Sequence, residues 1–75
     1  MSNVDHPSHY QSETGIECIQ AIEAALGYEG FIHFLRGQVI KYQWRGPKKN
    51  NAEDYEKAKW YSDKLVEHMK KGKPT

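Results

Sequence analysis

Apolar residues recur at helical spacing in three blocks along this chain, with polar or turn-forming residues between them. In the first block Ile16, Ile19, Ile22 and Leu26 fall three or four apart. That spacing gives one apolar stripe and predicts a helix from about Gly15 to Leu26. Thr14 is the expected N-cap, and Glu17 completes a capping box while suiting the positive end of the helix dipole. Gly27 supplies the stop. The second block sets Phe31, Leu35, Val39 and Tyr42 on one stripe, widened by Phe34 and Ile40. It predicts a helix from about Gly30 to Trp44 or Arg45. Gly37 in its middle costs about 1 kcal/mol relative to Ala, so a close approach of another backbone or a ligand is expected there. Gly46-Pro47 is expected to end this helix, because proline disfavours helical geometry in the residue before it.

The third block runs from Ala52 to Lys71. Asn51 as N-cap, with Glu53 and Asp54 in the first turn, is a strong start signal. Tyr55, Ala58, Leu65 and Met69 form its apolar stripe, broken by Ser62. Lys70 and Lys71 suit the negative end of the dipole, and Gly72 with Pro74 closes the element. Residues 1–14 are polar, with an Asp-His-Pro turn signal, and read as an extended arm. The fold class expected is therefore all-α: a small three-helix domain over residues 15–72, an N-terminal arm and a tail at 73–75.

Composition adds a constraint on stability. A chain of 75 residues buries only roughly 60–65% of its unfolded surface. Its single cysteine, Cys18, precludes an internal disulfide and is expected to be a buried small hydrophobe. Homo-oligomerisation is the expected support for so small a core. An aromatic fraction of 12% argues against a disordered chain. No apolar run approaches the roughly 20 residues of a membrane span, and no signal-peptide core is present, so a soluble intracellular protein is expected. The net charge of +1 gives no general field for nucleic acid.

The charge is uneven, and this directs attention to residues 37–61. Arg36, Lys41, Arg45, Lys48 and Lys49 fall within residues 36–50, which hold no acid. Lys41 and Arg45 share a helix face at a spacing of four, as do Asp54, Lys57 and Tyr61 at three and four. Tyr42, Trp44, Tyr55, Trp60 and Tyr61 are interleaved with these charges. Cations beside an aromatic shelf suit a phosphate-bearing ring such as a nucleotide. In this reading Lys41, Arg45 and Lys48 meet phosphate, Tyr10, Trp60 or Tyr61 meets the base, and Tyr42 and Lys57 are further ligand-binding candidates. His6 and His9 on the arm contact phosphate or base, since imidazole binds anions and stacks. Asp54 is the candidate catalytic acid, paired with Arg45 or Lys57 or holding Mg²⁺ against a phosphate. The plainer reading is a solvated basic turn beside ordinary core aromatics. Of Trp60 and Tyr61 only one is expected in the core, because neighbours on a helix diverge by about 100°. His6 and His9 alone are too sparse for a metal site, and no Gly-rich phosphate loop is present.

Four motifs occur in order: His6-Pro7-x-His9-Tyr10; Gly15-Ile16-Glu17; Gly37, Ile40, Lys41, Tyr42 and Arg45; then Glu53, Asp54, Lys57, Ala58, Trp60 and Tyr61. Together they resemble the SaV-like family of small bacteriophage proteins, a domain of unknown function. Members typically carry Asn where this chain has Gln38, and often Ala or another residue where Gly46 stands. The resemblance implies a phage protein acting in the host cytoplasm. It also implies a nucleotide-related role, since a phage deoxynucleoside monophosphate kinase looks like a relative. Three classes follow: a nucleotide kinase, a protein that sequesters a nucleotide to evade host defence, or a module that inhibits or recruits a host protein.

Overall fold

A computed structural model describes residues 16–49 and 52–74, without the side chain of Lys49. The expected arm with His6, His9 and Tyr10, and the Thr14 and Asn51 caps, lie outside the described residues. Among the described residues two helices form where three were expected: α1, Cys18–Lys49, and α2, Ala52–Lys71. No β-strand occurs among the described residues.

The first two expected helices are one element because Gly27 interrupts without ending. It alone departs from helical geometry, at φ 76° and ψ −179°, and the helix resumes beyond it. Only glycine enters that region readily, so the signal read as a stop is a one-residue break. Pro47 likewise fails to end α1, which continues to Lys49. The pre-proline clash falls on the Cβ and N–H of the preceding residue. Here that residue is Gly46, which has no Cβ, and the Tyr55 ring occupies the space a Cβ would need. At the start of α1 the cap is one turn later than expected. Glu17 N–H donates to the Gln20 side-chain oxygen at 2.9 Å, the reciprocal half of a capping box. At the end of α2, Gly72 at φ 83° donates its N–H to the His68 carbonyl at 3.3 Å, the left-handed cap expected there.

The helices pack antiparallel, as the contacts Tyr28–His68, Phe34–Tyr61 and Arg45–Asp54 show. Phe31, Leu35 and Ala58 are the buried apolar core, joined by the buried polar side chains of Asp54 and His68. The face of α2 turned inward is thus Asp54, Ala58, Tyr61, Leu65 and His68, a heptad stripe. It differs from the expected stripe, for Tyr55 and Met69 are exposed. Ile16, Leu26, Ile40 and Cys18 are exposed as well, against expectation. A two-helix layer can cover only one side of each helix, so apolar positions on the outer sides remain exposed. No helix among the described residues is long and apolar enough to cross a membrane.

Candidate functional site

Near the α1–α2 turn the antiparallel packing brings the end of α1 against the start of α2. Tyr42 on α1 stacks on Tyr61 of α2, with ring centroids 5.8 Å apart and planes inclined by 4°. Three cations converge on the Tyr42 ring: Lys41 Nζ at 5.1 Å, Arg45 Cζ at 5.5 Å and Lys57 Nζ at 5.4 Å from its centroid. All lie within the range in which a ring quadrupole attracts a cation. Each residue arrives by a simple rule. Lys41 and Arg45 are four apart on α1, and Lys57 and Tyr61 are four apart on α2.

Asp54 sits behind this surface. It is 1% exposed, and Arg45 Nε lies 3.7 Å from its Oδ2. That separation makes an ion pair rather than a hydrogen bond, and Oδ2 has no hydrogen-bond partner among the described residues. The pair ties the end of α1 to the first turn of α2 and aims the guanidinium along the Tyr42 ring. Among the described residues no group of three or more His, Cys, Asp or Glu could hold a metal ion. Magnesium commonly takes one or two carboxylates, with phosphate oxygens and water completing its shell. Asp54 offers one carboxylate, but its Oδ2 is buried against Arg45, so it does not present a ready Mg²⁺ ligand to a phosphate at this surface.

Other expected site residues fall elsewhere. Lys48 covers Trp44, with Nζ 4.6 Å from the ring centroid. Trp44 follows Tyr42 by two residues and so faces about 200° away round the helix. Lys48 therefore belongs to the opposite face of α1. Trp60 meets Tyr61 edge-on at 4.9 Å and lines a shallow hollow with Asp63, Lys64 and Glu67. Both Trp60 and Tyr61 are half-buried, so neither is wholly core.

Sequence reasoning missed a second cluster at the far end of the hairpin. His68 stacks on Tyr28 at 4.7 Å, meets Phe31 edge-on at 4.9 Å, and donates from Nε2 to the Tyr28 carbonyl at 3.0 Å. Its Nδ1 faces Glu23 Oε2 at 3.6 Å, and Lys71 Nζ approaches the same oxygen at 3.5 Å. Glu23, Tyr28, His68 and Lys71 border a cleft of about 370 Å³. Extending the spacing Asp54, Ala58, Tyr61, Leu65 by three would have found His68.

Residues 4–63 match a family described as a protein of unknown function, DUF3310. The chain belongs to this family. The whole basic–aromatic surface of this DUF3310 protein lies inside the matched span, whereas His68 and Lys71 lie beyond it. Two phage proteins are similar to it. One is the gene 1.7 protein of Enterobacteria phage T3, 31% identical over 71 residues, which cover 89% of this chain and 44% of that protein. The other is the nucleotide kinase gp1.7 of Escherichia phage T7, 31% identical over 75 residues, covering 95% of this chain and 38% of that protein. The DUF3310 chain thus spans less than half the length of these curated relatives. Both relatives are phage proteins, in agreement with the phage origin implied by the motifs. No solved structure matches.

Proposed function

We propose that this protein binds a nucleotide or nucleotide-like small molecule at the Tyr42 surface. The observation that carries the reading is the convergence of Lys41, Arg45 and Lys57 on one aromatic ring stacked against Tyr61. Phosphates would lie against the three cations, with Arg45 held in place by Asp54, and the base against Tyr61 or Trp60. A T7 relative named as a nucleotide kinase supports this class of ligand. The motif resemblance to the SaV-like family supports a phage protein at work in the host cytoplasm. Two uses of the site follow. In a kinase-like protein the cations would offset charge as phosphate moves between nucleotides, with Mg²⁺ brought in by the nucleotide and Asp54 holding Arg45 in place. In a sequestering protein the same contacts would hold a nucleotide without turnover. A second reading, docking onto a host protein, draws on Ile40 and Trp44, which are 60% and 68% exposed.

A thermal-shift panel of mono-, di-, tri- and cyclic nucleotides, with and without Mg²⁺, tests the proposal, with each mixture then run on chromatography. A ligand that binds only the folded state raises the melting temperature by mass action. Lys41→Ala and Lys57→Ala are the informative variants, because neither residue is paired with the buried Asp54. Each should weaken binding by roughly tenfold or more, the worth of a charge-assisted contact. A shift with new product peaks marks a kinase, and a shift with the nucleotide intact marks a sequestering protein. No shift with any nucleotide would overturn the reading.

A further inference from the structure

We infer that the outer face of α1 is a self-complementary surface on which a second copy of this chain docks, antiparallel, about a two-fold axis at Ile40. Ile40 lies about half a turn round α1 from the buried Phe31, so it points directly away from α2. With Gly37 and Trp44 it follows the spacing of three then four that defines a helix–helix seam. Ile40 is 60% exposed and Trp44 is 68% exposed. A helix apolar on opposite faces is one that is covered on both, and α2 covers one.

The shape of the seam selects the occupant. A Cβ built on Gly37 meets nothing within 4 Å, so the seam holds an open notch beside its bulkiest side chain. Gly37 lies about 4.5 Å along the axis on one side of Ile40, and Trp44 about 6 Å on the other. Turning a second α1 about Ile40 therefore sets each Trp44 opposite the partner's Gly37, and the two Ile40 side chains against each other. One surface carries both knob and hole, which is what an isologous dimer requires. A different protein would need only one of them.

The rim makes a further demand. Arg36, Lys41 and Lys48 border the seam, and residues 30–52 contain no acid to oppose them. Pairing two such faces brings like charges together, so association should tighten as salt screens them.

Sedimentation equilibrium of the full chain in rising sodium chloride tests this. The expected species has twice the 8.7 kDa chain mass, and its dissociation constant falls as salt increases. Ile40→Lys and Trp44→Ala should give monomers with unchanged helicity, because both side chains lie outside the core. Gly37→Leu fills the notch and should weaken the dimer at least tenfold, although the monomer has room for it. In a Cys18→Ser background, Ile40→Cys should oxidise to a covalent dimer, whereas Val66→Cys on α2 should not. A chain that stays monomeric, a dimer that survives Ile40→Lys or Gly37→Leu, or a dimer loosened by salt would overturn the inference.

Discussion

Asp54 is a carboxylate withdrawn from water beside an arginine that keeps 41% of its side chain in contact with it. The two partners should therefore respond unequally to mutation. Arg45→Ala leaves a buried charge uncompensated and should destabilise the fold by about 1–3 kcal/mol, less than for a fully buried pair. Asp54→Asn keeps the volume and lets Arg45 turn to solvent, so it should cost about 1 kcal/mol or less. Urea unfolding of the two variants checks the ordering, and a costlier Asp54→Asn would contradict it. Gly46 and Tyr55 form another unequal pair. Gly46→Ala gains about 1 kcal/mol of helix propensity, yet it displaces the Tyr55 ring and restores the pre-proline clash. The displacement should be relieved in Tyr55→Ala, so a double-mutant cycle should show coupling of about 1 kcal/mol. Additive costs would mean that the ring swings aside freely. The residue types at the candidate site were legible in the sequence, because Lys41, Arg45, Lys57 and Tyr61 follow from helical spacing alone. Lys48 was misplaced, since being near in sequence says little about which way a side chain faces.

Of the helix extents only that of α2 agrees with the expected bounds, because its start and stop signals are local ones, whereas α1 runs past both expected stops. What could not be read was whether Gly27 ends a helix or only breaks it. The same residue serves both purposes, and the outcome depends on what α2 packs against. Gly27 sits in a backbone region that is essentially glycine's own. Gly27→Ala should cost about 1–3 kcal/mol, even though an added Cβ would touch nothing within 4 Å. A loss of stability with no steric clash isolates the backbone term, and a neutral result would mean that α1 straightens through the break. The inward face of α2 was misread for another reason. Asp54 and His68 are polar and so fall outside an apolar stripe, yet both are buried and Tyr55 and Met69 are not. A hydrophobic pattern cannot register a buried charge that is held by a partner on the other helix.

The described residues form a hairpin with three buried apolar side chains, Phe31, Leu35 and Ala58, set against a total stability of roughly 4–11 kcal/mol for a chain of this length. Leu35→Ala removes one of the three and should cost about 2–5 kcal/mol, enough to unfold much of the population if the hairpin stands alone. If α1 is covered by a second copy, part of the folding free energy comes from association and stability must depend on concentration. For a dimer that unfolds to separate chains, each tenfold rise in protein concentration adds about 1.4 kcal/mol per dimer. With the unfolding entropy of two chains of this size, that corresponds to roughly 3–6 °C in melting temperature. Calorimetry of the unmutated chain over a hundredfold range should therefore show a steady rise, and Ile40→Lys should melt lower and at one temperature throughout. A melting temperature that ignores concentration would return all the stability to the hairpin itself. Leu35→Ala would then be the variant that decides how much of it Phe31, Leu35 and Ala58 supply.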